Sequence, residues 1–102
     1  CTRYHIDNVP IRLLVTYFGQ GTEWLPFNAE SYKAYFKGQK NESIIKNTTE
    51  RKFIKPWDIA TFRGGTKGIL HRTPDSALKS PSLQMRLDHS SFLKNIEKFY
   101  FN

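Results

Sequence analysis

The stretch that most constrains this chain is Ile11-Arg12-Leu13-Leu14-Val15-Thr16-Tyr17-Phe18, closed in front by Pro10 and behind by Gly19. It is β-branched and aromatic, and its apolar content is nearly continuous. A run of that length is too short for a free-standing helix and suits a strand buried on both faces. The rest of the chain must supply layers to cover it. Arg12, inside the apolar run, must find a partner or reach water, and Asp7 and Glu23 are the candidates.

The remaining pattern is mostly strands and turns. Residues 3–7 (RYHID) fit a strand. Residues 19–22 (GQGT) form a turn, and 23–26 (EWLP) follow it and end at a proline. Asn28 is an N-cap for a helix over 29–36, and Gly38 stops it. Residues 43–47 (SIIKN) fit either a strand or a helical turn. Strands follow at 50–55, 59–64 and 69–72, with glycine-rich 64–68 as a plain loop. Residues 73–82 form a long connection with two prolines. At 83–88 apolar and polar residues alternate, as in a half-exposed strand. Phe92, Ile96 and Phe99 recur at helical spacing behind Ser90 and Ser91. Strands without a βαβ rhythm predict a mainly β, antiparallel fold, a small barrel or jelly roll with one or two short helices.

At 102 residues the chain has room for a single domain, 1–102, with one modest core. No apolar run approaches the ~18 residues a membrane helix needs. Cys1 is the one cysteine, so no intrachain disulfide forms, and a cytoplasmic setting is expected. The first residue is not Met, and we expect the C-terminal part of a longer protein with an open sheet edge where earlier strands would pair. The net charge of +7 is spread along the chain without a like-charge run, and no RNA-binding motif accompanies the 15% aromatics. Nucleic acid is therefore the last-ranked partner.

Chemistry concentrates at His5-Ile6-Asp7. On a strand, residues i and i+2 share a face. Imidazole and carboxylate together suit a divalent metal, and a third ligand must come from His71 or His89. Two histidines and one carboxylate form the facial triad of non-haem iron(II) oxygenases. Zinc is the other candidate, with His89 or water as fourth ligand. Either pattern also occurs as hydrogen-bonded polar residues on a strand. By alternation Arg72 points away from His71, to solvent. Glu23 is a candidate acid/base, and Trp24 a packing residue.

Residues 3–26 (RYHIDNVPIRLLVTYFGQGTEWLP), 53–74 with KPWDIATFRGG and GILHRTP, and Leu87-Asp88 closely resemble a family of uncharacterised bacterial proteins. Its members carry His-X-Asp, an Arg-Leu-Leu-X-Thr-Tyr strand, Gly-X-Gly-Thr-Glu-Trp-Leu-Pro and a later His-Arg-Ser-Pro. The order of these features is also distantly similar to prolyl-hydroxylase-type 2-oxoglutarate/iron(II) oxygenases. That similarity implies a double-stranded β-helix with His5, Asp7 and His71 as metal ligands. It gives Asp58 a structural role in a turn and places Tyr17 in the interior beside the co-substrate. It also asks for a basic residue nine or ten positions after His71, where this chain has Ser80 and Pro81. Lys79 and Arg86 are the nearest substitutes for binding the 2-oxoglutarate carboxylate. The substrate, a small molecule or a protein, is not specified by these residues.

Overall fold

The computed structural model describes residues 1–47 and 50–88. The apolar run becomes the longest strand, β1 (Ile11–Phe18). It is the centre of a three-stranded antiparallel sheet in the order β4-β1-β6, with β4 at Ile59–Arg63 and β6 at Leu83–Asp88. A second antiparallel sheet, in the order β3-β2-β5, consists of two-residue strands: β2 (Glu23–Trp24), β3 (Lys52–Phe53) and β5 (His71–Arg72). Two short helices, α1 (Ala29–Phe36) and α2 (Asn41–Ile45), lie between β2 and β3 in sequence. The chain is mainly β, and among the described residues neither sheet closes into a barrel.

Register fixes which side chains share a face. Arg12 lies opposite Phe62 and Asp88, Leu14 opposite Ala60 and Arg86, and Thr16 opposite Gln84. By alternation these residues form one face of the sheet, and Leu13, Val15, Thr61, Met85 and Leu87 form the other.

The helices close the core. Asn28 has extended backbone and its side-chain oxygen accepts from the Ser31 N–H, so it caps α1 as its residue type requires. Gly38 follows α1 with φ of 75°, the left-handed conformation glycine adopts without strain. Buried Tyr32 and Ala34 of α1 and Ile44 of α2 pack with Tyr4, Leu25 and Leu70. The Tyr32 hydroxyl donates to the Gly68 carbonyl at 2.9 Å and accepts from the Leu70 N–H at 3.2 Å. The segment leading into β5 is thereby fixed from the helix side.

Three local expectations change. Residues 3–7 form no strand; they pair only through a bridge between His5 and His71. Residues 43–47 take the helical alternative, since α2 ends at Ile45. The connection after β5 contains a 3-10 turn, Asp75–Lys79. The expected helix at Phe92, Ile96 and Phe99 lies outside the described residues, as does His89. No helix among the described residues is long and apolar enough to cross a membrane.

Candidate metal centre

The N-terminal segment is held by backbone contacts although it is not a strand. His5 and His71 exchange N–H···O=C bonds of 3.0 and 3.1 Å, and the Thr73 N–H donates to the Cys1 carbonyl at 2.8 Å. Asn41 accepts from the Tyr4 N–H at 3.0 Å and donates to the Thr2 carbonyl at 2.9 Å. On the far side, the Gly65 N–H donates to the Asp7 carbonyl at 2.9 Å. The glycine loop owes its composition to this approach: a Cβ on Gly64 would lie 1.8 Å from the Val9 carbonyl oxygen. The loop seats residues 7–9 and is no phosphate cradle.

These anchors bring His5, Asp7 and His71 together, with one ligand atom from each lying within 4.8 Å of the others. Asp7 Oδ1 is 3.3 Å from His71 Nε2 and 3.7 Å from His5 Nε2. Donors bound to one ion at ~2.1 Å sit about 3.0–3.4 Å apart in octahedral or tetrahedral geometry, so Asp7 Oδ1 and His71 Nε2 already lie at such a separation, while the His5 imidazole would have to move closer. Both Nδ1 atoms are already engaged: His5 Nδ1 is 2.8 Å from the Arg3 carbonyl and His71 Nδ1 is 2.9 Å from the Ile69 carbonyl. A carbonyl only accepts, so each Nδ1 carries the proton and each Nε2 is turned toward Asp7. That is the arrangement in which a second-shell acceptor orients a metal-binding imidazole. Phe62 stacks on the His71 ring, centroids 4.6 Å apart, and fixes its plane.

Asp7 is buried, and its Oδ2 has no hydrogen-bond partner among the described residues. Its Oδ1 accepts from Arg12 Nη1 at 2.9 Å. Burial raises the Asp7 carboxyl, but the contact with His71 and the positive charge of Arg12, together with any carried by the two imidazoles, outweigh it and hold the group below its ordinary value. Burial lowers the His5 imidazole, assisted by His71 and opposed by the bond to the Arg3 carbonyl. The site is thus an ionised carboxylate facing two imidazole Nε2 atoms, with a buried oxygen left over. A cation satisfies all of these groups, and the donor set fits a divalent metal.

The histidines open onto a polar cavity of about 160 Å³, also lined by Arg12, Thr22, Gln84 and Arg86. Arg86 is therefore placed beside the triad. Lys79 is not: it is exposed at the end of the 3-10 turn. Tyr17 corrects the expectation of an interior position. It sits on the opposite face of β1 from Arg12, Leu14 and Thr16, and its hydroxyl contacts Met85 Sδ at 3.7 Å. Asp58 does occupy a turn before β4, its N–H donating to the Lys55 carbonyl at 3.1 Å.

Arg72 corrects a second expectation. Strand alternation points it away from His71, but that side is covered. Arg72 is buried, its Nε is 2.9 Å from Glu23 Oε2, and its guanidinium lies 4.7 Å from the Tyr4 ring centroid. Glu23 also accepts from the Tyr4 hydroxyl, so its carboxylate is committed to structure and not to acid/base work. Arg12 takes Asp7, as expected, together with Asp88, whose oxygens accept from it at 2.7 and 3.2 Å. Sequence reasoning missed Phe62, Gln84 and Asp88 as neighbours of the site. Their signal is the cross-strand register with Arg12 and Thr16, which one sequence does not display.

The comparison with known families is decisive at one level. Residues 1–88 match the family model described as "Protein of unknown function (DUF1826)". The chain belongs to that family. No curated protein and no solved structure matches it. The cluster of His5, Asp7 and His71 lies inside the matched span of this DUF1826 member.

Proposed function

We propose that the chain binds one divalent metal ion through Nε2 of His5, Nε2 of His71 and the Asp7 carboxylate. The observation carrying this reading is the pair of Nδ1 contacts to backbone carbonyls, which turn both Nε2 atoms toward a buried, partly unpartnered carboxylate. In this reading Arg12 keeps Asp7 ionised and fixed, and Phe62 prevents the His71 ring from turning out of position.

The finer proposal is an iron(II)/2-oxoglutarate-dependent oxygenase built on part of a double-stranded β-helix. His5, His71 and Asp7 would hold the iron(II), which would supply the oxidising chemistry when bound. The protein's part is to receive the anion and orient it. Arg86, opposite Leu14 in the register, borders the cavity and offers a bidentate fork to a carboxylate. Gln84 and Thr22 add neutral hydrogen-bonding groups. Of the three sequence-derived co-substrate candidates, Arg86 keeps that role, whereas Tyr17 and Lys79 lie away from the cavity.

That partial clamp favours one alternative: a zinc-binding protein, hydrolase or metal-responsive, in which water or a further residue completes the site. Nucleic-acid binding has only the +7 charge in its favour. Anaerobic titration with iron(II), followed by 2-oxoglutarate, separates these readings. Iron uptake with a keto-acid-dependent visible absorbance change supports the oxygenase. One equivalent of zinc with no keto-acid response supports the alternative. Metal-free protein with salt-sensitive oligonucleotide binding supports the third, and failure to take up either metal ends the metal reading.

A further inference from the structure

The cavity at the metal centre adjoins a second one. Thr22, Thr73 and Gln84 line both the space of about 160 Å³ beside the histidines and a smaller one of about 40 Å³. The smaller cavity adds Thr16, Gln20 and Ser82, has no charged side chain, and is apolar only at Pro74. The register lays out this change of character. On one face of the β4-β1-β6 sheet, Arg12 and Asp88 stand beside Asp7, Leu14 and Arg86 come next, and Thr16 and Gln84 last. From the charged end to the neutral end is about 13 Å along β1. The neutral end holds hydrogen-bonding capacity that the fold does not use. Thr16 and Thr22 are both buried. Gln84 Nε2 donates to the Thr22 hydroxyl at 3.1 Å and to the Thr16 hydroxyl at 3.3 Å, which engages both amide hydrogens. Among the described residues neither hydroxyl hydrogen has an acceptor, and Gln84 Oε1 has no donor. Two buried donors and one acceptor are left facing one small space.

We propose that this neutral cavity is a binding subsite for a small, uncharged, polyhydroxylated molecule that extends from it toward the metal. A ligand hydroxyl both donates and accepts, so one group can answer a threonine hydroxyl and Gln84 Oε1 together. An anion finds no counter-charge there, and an apolar group leaves the buried hydroxyls without partners. Both cavities are smaller than the ~300 Å³ at which drug-sized pockets begin, which limits the ligand to about the size of a four-carbon polyol. The wall is already in place. A Cβ on Gly19 would lie 2.7 Å from the Pro81 carbonyl oxygen, so the turn at 19–22 packs directly on the segment that enters β6. The subsite belongs to the metal-free fold; that its occupant reaches the metal rests on the metal site proposed above.

Saturation-transfer NMR with erythritol on the full, metal-free chain tests the subsite. Erythritol should receive saturation, and 1-butanol, with the same carbon number and a single hydroxyl, several-fold less. Thr22→Val with Gln84→Leu should abolish the erythritol signal, and Arg86→Gln, which removes only the nearby charge, should leave it. Circular dichroism checks that each variant is folded. If the double variant is not, Thr22→Val alone, which keeps the side-chain shape, should still weaken the signal. Equal saturation of erythritol and 1-butanol overturns the proposal. So does an erythritol signal that survives in folded protein without the Thr22 hydroxyl and the Gln84 amide. Manganese(II), its binding read separately by electron paramagnetic resonance, then reports position: erythritol protons should relax faster on the loaded protein. Bound manganese(II) without that enhancement overturns the extension toward the metal. No bound manganese(II) contradicts the metal site instead, and the metal-free experiment still decides the subsite.

Discussion

Asp7 carries the heaviest load of any single residue here. It is buried, bound by Arg12, faced by two imidazoles, and left with one oxygen unused. Asp7→Asn keeps the shape and removes the charge, so it should lower metal affinity by more than about a hundredfold, beyond what losing an outer-shell partner costs; calorimetric titration reads this directly. The metal-free protein should also respond to pH in two stages. The His5 imidazole is lowered from 6.5 in the folded state, so below pH 6.5 the unfolded chain takes up its proton first. Stability therefore falls until the lowered folded value is passed. The Asp7 carboxyl is lowered from 3.8, so its contribution is present above that pH and is lost as pH falls through the depressed folded value. Urea midpoints across pH in the presence of a chelator test both, and His5→Gln should remove the first stage alone. At this scale the sequence displayed His5 and Asp7 through their spacing. It did not display that Arg72 is buried, because the rule of alternation says which way a side chain points and not what waits there.

Among the elements, β1 and α1 were legible for physical reasons. A bracketed apolar run has one economical fate, and Asn28 sits where a helix needs an acceptor. Asn28→Ala should cost about 1 kcal/mol, seen as a lowered urea midpoint with unchanged slope. The two-residue strands β3 and β5 were located but overestimated in length, and β2 was not located, because their pairing depends on the partner and not on local preference. β2 pairs with β5 through its backbone, and a buried ion pair, Glu23 with Arg72 at 2.9 and 3.3 Å, joins the same two strands. Breaking it leaves a buried guanidinium without its principal counter-charge. Glu23→Gln should destabilise by about 3–5 kcal/mol, and Glu23→Gln with Arg72→Met by less than that. Because His71 adjoins Arg72 in β5, the single variant should also weaken metal binding, while the double variant recovers part of it. Residues 3–7 show the opposite case. Residues 3–7 fit a strand by type, but the bonds from Asn41 and His71 hold them by contacts that no local pattern encodes.

For the molecule as a whole, the metal should join pieces that are far apart in sequence. His5 and Asp7 precede β1, and His71 lies in β5, so one ion would tie the N-terminal segment to the β3-β2-β5 sheet. Binding to the folded state alone adds about 2.7 kcal/mol at a hundredfold excess over Kd. For a chain near 100 residues that raises Tm by on the order of 10 °C, and a chelator should reverse the shift. The most direct measurement is the metal content of the protein, purified without a chelating tag, beside that of His71→Ala prepared in the same way. The account predicts close to one equivalent of iron or zinc per chain in the parent protein and essentially none in His71→Ala. No metal in the parent protein, or equal metal in both, would contradict it.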